Sequence, residues 1–242
     1  MREQKYVMLP ESINVGGVNL YRICAARSFG NVKAGELGGF IQKEANLSHE
    51  GRSWVSGDAM VYGSAVIDDD AVVSDHARVH DLARIRGKSE VSGHAKVFGN
   101  VIIYNSRIFD DASVFDHAEI YNACVYDQAE VYGSATVHYA RIYGNAEVYD
   151  FARVDGCMNV VAVYGSHKDY TIVKIHGKAK VFGNTKVFGD AEIAGSAKVY
   201  GDARIYKGAI ILDDARVYDQ AEVYAKVIGE TIFGNMKIFG FA

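Results

Sequence analysis

Proline, cysteine and long apolar runs are scarce in this chain, and each scarcity excludes a class of protein. The 242 residues include only 1 Pro and 3 Cys. Cys24, Cys124 and Cys157 have neither metal-ligand spacing nor the even number of a disulfide framework. No apolar run approaches the roughly 18 residues of a membrane-spanning helix. The composition therefore favours a globular protein with reduced thiols.

The chain also lacks a large excess of charge of either sign. Its net charge is −4, and Lys and Arg are scattered singly along it. Such a distribution gives no general attraction to nucleic acid or to an anionic membrane. The first ten residues, MREQKYVMLP, lack the apolar core of a signal peptide. We therefore expect a cytoplasmic protein without a nucleic-acid or membrane partner.

A six-residue repeat dominates what is present. The unit is GDARIY at 201–206 and GNAEVY at 144–149. A small residue is followed two positions later by an aliphatic one, so both side chains point to the same face of a strand. The residue between them is usually charged, and Gly, Asp or Asn follows as a turn former. Short strands separated by turns at this period predict a β-helix.

Three shortened repeats predict the number of strands per coil, where a coil is one full circuit of the β-helix. The aliphatic step is five residues instead of six where it ends at Ile108, Val125 and Ile142, and these positions lie 17 residues apart. A deletion at every third strand falls on the same corner of successive coils. The sequence therefore predicts an all-β fold: a single parallel β-helix with three strands per 17–18-residue coil and about ten coils.

Aromatic side chains recur once per coil, just after the aliphatic position. This spacing predicts rings stacked along the corners. The rings may serve only to stiffen the coil, may be buried between subunits, or may bind a planar or sugar-like ligand. Lys and Arg between the rings resemble a single-stranded nucleic-acid site, but the interspersed acids and the net charge argue against one. The predicted runs are Tyr62, His80, Phe98, Phe115, Tyr132 and Tyr149; Phe182, Tyr200 and Tyr218; and Phe188, Tyr206 and Tyr224.

The two ends of the chain depart from the repeat. Residues 1–38 are predicted to form a capping hairpin that turns at Gly16-Gly17, and residues 39–242 to form the β-helix. At the other end, the bulkier Phe233 and Met236 are expected to point inward and plug the last coil. Both predictions answer the need of a β-helix to cover its terminal strand edges.

A second interruption falls at 155–174 and predicts a bulge or short loop. Val163 and Ile175 are placed in register, with about three extra residues between Val154 and Val163. Loops inserted at the corners of a β-helix often carry function. We therefore expect ligand contacts there, from His167, Lys168 and Tyr170.

Histidines are the natural catalytic candidates, because an acceptor hydroxyl or amine needs a base near neutral pH. His76 and His94 occupy the same turn position exactly one coil apart, and His117 has that position on another edge. The alternative is that each simply replaces Asp or Asn in a turn that faces water. His80 and His138 lie in aromatic columns and are expected to stack. The Asp-rich corners match no calcium repeat, so no metal site is predicted.

The segment 30–63, GNVKAGELGGFIQKEANLSHEGRSWVSGDAMVYG, leads into the repeat with V-K-A-G, G-G before an aromatic residue, and a polar stretch before Trp54. It resembles the YdcK-like group, found in bacterial and prophage genomes, and the chain as a whole resembles the hexapeptide-repeat transferase superfamily. This resemblance implies a left-handed coil and a homotrimer. It also implies acyl transfer from acyl-CoA or acyl carrier protein in a cleft between subunits, with a histidine as general base.

Two departures from the transferase pattern shape the functional prediction. The residue after the aliphatic position is small in the enzymes but usually Tyr or Phe here, and no long loop shapes a CoA site. We therefore predict a homo-oligomeric binding or scaffold protein, of phage or prophage origin, that captures a small molecule or host protein between subunits. The predicted ligand contacts are Phe115, Tyr132 and Tyr149, together with the residues of the 155–174 loop. The alternative is an acyltransferase that uses acetyl-CoA or another acyl-CoA, with His76 or His94 as base; no other cofactor is expected.

Overall fold

The chain forms a β-solenoid, with about ten strands in each of its parallel sheets. The structure is a computed structural model that describes residues 4–156 and 172–239. Two compact units, Met1–His117 and Ala118–Ala242, divide the chain, and each is described by itself below. The single helix among the described residues is the 3₁₀-helix Glu44–Asn46.

The coils of the first unit have three faces, numbered in the order in which the chain visits them. Strands on one face pair in parallel with the strands one coil before and after. Face 1 contains β3 (Leu37–Ile41), β5 (Met60–Val61), β8 (Arg78–Val79), β11 (Lys96–Val97) and β14 (Ser113–Val114). Face 2 contains β6 (Val66–Ile67), β9 (Arg84–Arg86) and β12 (Ile102–Tyr104). Face 3 contains β4 (Trp54–Val55), β7 (Val72–Val73), β10 (Glu90–Val91) and β13 (Arg107–Ile108).

The second unit repeats the same three-faced arrangement. Face 1 contains β17 (Glu130–Val131), β20 (Glu147–Val148), β23 (Lys180–Val181), β26 (Lys198–Val199), β29 (Arg216–Val217) and β32 (Thr231–Ile232). Face 2 contains β15 (Glu119–Tyr121), β18 (Thr136–His138), β21 (Arg153–Asp155), β24 (Lys186–Phe188), β27 (Arg204–Ile205), β30 (Glu222–Tyr224) and β33 (Lys237–Phe239). Face 3 contains β16 (Cys124–Val125), β19 (Ala140–Ile142), β22 (Val173–Ile175), β25 (Glu192–Ile193), β28 (Ile210–Leu212) and β31 (Lys226–Ile228).

Small and aliphatic residues of the repeat fill the core. Ala77 and Val79 are fully buried, whereas Arg78 between them is exposed. The backbone N–H of Arg78 donates to the carbonyl of Ala95 in the next coil at 2.9 Å, so each coil satisfies the polar groups of its neighbour. The predicted all-β fold with three strands per coil is confirmed; the left-handed sense remains a prediction.

The corners depend on residues that tolerate positive φ. Asp81 (φ 60°) and Gly99 (φ 82°) occupy the same turn position in successive coils. The N–H of Gly99 donates to the carboxylate of Asp81 at 3.1 Å, which explains why Asp and Gly recur at this place. The predicted shortened corner is confirmed, because Ile108, Val125 and Ile142 all lie on face 3 of their units.

The N-terminal segment forms the predicted hairpin and joins face 1 of the first unit. Strands β1 (Tyr6–Val15) and β2 (Val18–Ala25) are antiparallel and turn at Gly16-Gly17. β2 also pairs antiparallel with β3, and β3 pairs in parallel with β5. The hairpin thus occupies the free edge of the first coil's strand.

The interruption after β21 is larger than expected. Val154 on face 2 and Ile175 on face 3 are successive inward positions, yet they lie 21 residues apart instead of six. The prediction of Val163 in register after about three extra residues is wrong, because β19 pairs directly with β22. Val163 itself, like His167, Lys168 and Tyr170, lies outside the described residues.

The expected plug at the last coil is wrong for Phe233. Its side chain stacks on Tyr218 with ring centroids 5.7 Å apart, in the outward aromatic column, and is 45% exposed. The reason is position: Phe233 follows the buried Ile232 and so takes the ring place of the repeat. Met236 has the small-residue place but is 43% exposed.

Candidate functional site

His76 and His94 lie side by side on the corner between faces 3 and 1 of the first unit. Their rings stack with centroids 5.0 Å apart and an interplanar angle of 11°. The carboxylate of Asp58 lies 3.9 Å from Nδ1 of His76, beyond hydrogen-bond distance, and both of these side chains are more than half exposed. The structure therefore brings the predicted pair together in an open setting. Its catalytic role stays a prediction.

Two other histidines belong to ring columns, as predicted. His80 stacks between Tyr62 and Phe98 at 4.7 and 5.1 Å. His138 packs edge-on against Tyr121 at 4.7 Å. Both histidines are part of the outward stacking of their corners.

The aromatic columns are continuous stacks of nearly parallel rings. Phe98 and Phe115 in the first unit are 5.0 Å apart with an angle of 2°, and Tyr132 and Tyr149 in the second are 4.8 Å apart with an angle of 1°. Rings in this geometry cover one another's faces and leave their edges toward solvent. Ligand binding by Phe115, Tyr132 and Tyr149 stays a prediction, and it would have to use ring edges and hydroxyl groups.

One column in the second unit is longer than the sequence suggested. Tyr149 stacks on Phe182 at 4.9 Å although 33 residues separate them, because β20 pairs with β23 across the interruption. The run predicted to start at Phe182 is thus the continuation of the Tyr132–Tyr149 stack. The ladder, as we call it below, consists of Tyr132, Tyr149, Phe182, Tyr200, Tyr218 and Phe233.

The tyrosines of the ladder keep their protons at neutral pH. Burial raises the pKa of Tyr149 and of Tyr200 above the usual value. The cations Lys180 and Arg216 oppose these shifts without cancelling them. The hydroxyl groups are therefore available as hydrogen-bond donors.

Two columns of cations flank the ladder in the second unit. On face 1, Lys180, Lys198 and Arg216 are direct neighbours on β23, β26 and β29. On face 2, Arg153, Lys186 and Arg204 are direct neighbours on β21, β24 and β27. Sequence reasoning had noted these charges only as the polar side of the strands; their 18-residue spacing was the signal for the columns.

Half of these cations are neutralised by nearby acids. Lys180 binds Glu147 at 2.7 Å, Arg153 binds Asp155 at 3.0 Å, and Arg204 lies 3.7 Å from Glu222. Within the part of the chain that the structure describes, no ion pair forms at the other three, which are Lys186, Lys198 and Arg216.

A polar cluster under the hairpin escaped the sequence analysis. Lys5 is fully buried, and its ammonium donates to the carbonyl and hydroxyl of Ser53 at 2.8 and 3.0 Å. Burial lowers the pKa of Lys5 to about 8. The nearby Trp54 lines a cavity of about 400 Å³, and its buried Nε1 finds no acceptor among the described residues. No repeat position marks Lys5, so the sequence pattern carried no signal for it.

Searches of the described residues add two negative findings. No group of three or more His, Cys, Asp or Glu there could hold a metal ion. No helix within residues 4–156 and 172–239 is long and apolar enough to cross a membrane.

Comparison with known proteins bears on the repeat alone. The search of curated proteins found no match. Residues 55–68 match the model of the family described as YdcK Beta solenoid repeat. This segment runs from β4 through β5 to β6 and so covers one strand of each face of the first unit. The chain therefore carries a YdcK β-solenoid repeat within a β-solenoid of about ten coils.

Proposed function

We propose that this chain is a binding or scaffold protein that works as a homo-oligomer and holds a small molecule or a host protein between subunits. The observation that supports this most is the fixed spacing of its outward side chains. Neighbouring rings of the ladder keep centroid distances of 4.8 to 5.0 Å from Tyr132 to Tyr218. Such columns present a preorganised surface, which reduces the entropy cost of binding.

The setting of the histidines favours binding over catalysis. His76 and His94 are exposed on a corner, whereas general-base catalysis gains from a site that excludes water. A second subunit would have to cover them before they could act on a substrate. A homotrimer, which the transferase resemblance implies, is the assembly that we propose.

A ligand screen tests the proposed binding function. The melting temperature of the wild-type chain is measured against a panel of acyl-CoA, nucleotides, and neutral and acidic oligosaccharides. We expect at least one ligand to raise the melting temperature, and the His76→Ala/His94→Ala variant to show the same rise. A panel without any stabilising ligand, together with a monomer in light scattering, would overturn the proposal.

Acyl transfer is the second candidate, and the observation in its favour is Asp58 beside His76. A carboxylate near a histidine ring is the usual orienting partner of a general base. The test is release of free CoA thiol from acetyl-CoA in the presence of hydroxyl and amine acceptors. Loss of release in His76→Ala/His94→Ala, but not in the matched turn variant His117→Ala, would establish this function in place of the first.

A further inference from the structure

The strongest unassigned feature is a positively charged ridge in the second unit. The ridge consists of three ladder rings, Phe182, Tyr200 and Tyr218, and the three cations without ion pairs, Lys186, Lys198 and Arg216. Lys198 and Arg216 stand on face 1, two residues before Tyr200 and Tyr218, so ring and cation point to the same side of each strand. Lys186 stands on face 2, across the corner from Phe182.

The cations of the ridge repel one another in the free protein. Lys180, Lys198 and Arg216 are in direct register on adjacent parallel strands, which lie about 4.8 Å apart. Like charges placed directly opposite on neighbouring strands are destabilising, by about 0.2–1 kcal/mol for each pair. An anion bound along the column would relieve this repulsion.

The rings add to the attraction for anions. Stacking at 4.9 to 5.0 Å covers the electron-rich ring faces of Phe182 and Tyr200 and leaves their edges outward. A ring edge carries the positive end of the aromatic quadrupole, and the protonated tyrosine hydroxyls can donate hydrogen bonds. Cations and ring edges therefore favour the same kind of ligand.

Two acids on this corner already have partners. The carboxylate of Asp202 accepts a hydrogen bond from the side-chain amide of Asn184 at 2.7 Å. The carboxylate of Asp219 accepts one from the N–H of Gly234 at 3.2 Å. Both belong to the turn architecture, so the three unpaired cations remain the groups that are free to bind a ligand.

We infer that the ridge binds a linear acidic polysaccharide that carries one carboxylate per sugar and lies along the coil stack. This inference rests on the proposed binding function and names its ligand class. The ring spacing of 4.9 to 5.0 Å repeats once per coil, which is close to the length of one pyranose unit. Successive carboxylates thus meet successive cations without a change of register.

Other linear anions fit this ridge less well. Proteins that bind single-stranded nucleic acid stack bases on aromatic faces, and the ladder has those faces covered. Same-side carboxylates of an extended acidic peptide would repeat at roughly 6.6–6.8 Å, twice the rise of a strand residue, and would fall out of step with the coils.

Calorimetric titration of the whole chain with oligogalacturonate tests the inference. Neutral maltooligosaccharide and an oligo-dT of similar length serve as comparison ligands. We expect oligogalacturonate to bind and the Lys198→Gln/Arg216→Gln variant to bind at least tenfold more weakly. Its slope of log affinity against log salt should fall by about two, one for each lost cation. The matched control is Lys174→Gln/Lys226→Gln, which removes two exposed cations from face 3 of the same unit and should bind like the wild type.

The outcomes separate the ridge from the wider binding function. Equal affinity in the two double variants, or tighter binding of oligo-dT, would overturn the ridge as an acidic-polysaccharide site. Absence of oligogalacturonate binding would overturn it as well. In each case a ligand that raises the melting temperature of the wild type would leave the general binding function standing.

Discussion

At the residue scale, Lys5 shows how this fold holds a charge inside its N-terminal end. The ammonium is surrounded by acceptors from Ser53 and by the carbonyl of Glu50 at 3.4 Å. Its ring neighbour is Phe29, with Nζ 5.2 Å from the centroid. Burial still dominates, because desolvation disfavours the charged form and Arg27 adds repulsion.

The lowered pKa of Lys5 predicts a rise in stability at alkaline pH. Its pKa falls from 10.5 to about 8 on folding, so between these values the unfolded chain binds more protons than the folded chain. The free energy of unfolding therefore increases with pH across this window, and below about pH 8 the full cost of burying the charge is present. We expect a gain of about 2 kcal/mol from this residue.

Denaturant unfolding at pH 7.5 and at pH 10 measures the effect. The Lys5→Met variant should lose this part of the rise, since it has no charge to neutralise. Lys33→Met, at an exposed position of the same N-terminal region, should retain it. A Lys5→Met chain whose stability climbs with pH as steeply as that of the wild type would refute the assignment.

At the element scale, the turns are the places where the coils approach most closely. A Cβ on Gly195 (φ +71°) would lie 2.7 to 2.8 Å from three backbone atoms of Asp213 in the next coil. A Cβ on Gly208 (φ +79°) would meet nothing within 4 Å. The two glycines share a left-handed conformation but differ in their neighbours.

This difference predicts unequal costs for the same substitution. Gly195→Ala and Gly208→Ala both pay for positive φ in an L-residue. Gly195→Ala must in addition displace backbone, so we expect it to lower the free energy of unfolding by about 1–3 kcal/mol more than Gly208→Ala. Urea melts of both variants measure it, and equal losses would show that contact between coils does not limit this corner.

The strands and corners could be predicted from the sequence because each depends on residues close in the chain. Small and aliphatic residues two positions apart predicted the buried face, and the shortened steps at Ile108, Val125 and Ile142 predicted three faces. Phe233 was placed inward because its size was weighed above its position after Ile232. The register of Val163 was wrong because a hexad match inside an insertion looks the same as one in a coil.

At the scale of the whole molecule, the missing information was long-range. The contacts of Lys5 with Glu50 and Ser53 span 45 and 48 residues, and no periodicity connects a hairpin to the coil beneath it. The ridge could be found only partly. Charges at 18-residue spacing predicted columns, but only the pairing across the interruption shows which rings and cations stand together.

The net charge of −4 conceals this local arrangement. Positive side chains stand on the strands of the ridge, whereas many of the acids stand in the turns, where Asp accepts backbone N–H groups of the next coil. A chain that is acidic overall can thus present a basic surface. The average composition argued against polyanion binding because it cannot distinguish turn residues from strand residues.

Lysine footprinting with an amine-reactive reagent and mass spectrometry tests the account most directly, because it locates the ligand on the folded chain. Bound oligogalacturonate should protect Lys180, Lys186 and Lys198 beside the ladder. It should leave Lys174 and Lys226, on face 3 of the same unit, as reactive as in the free protein. Equal protection of both sets, or protection of neither, would contradict a binding surface built from the ladder and its flanking cations.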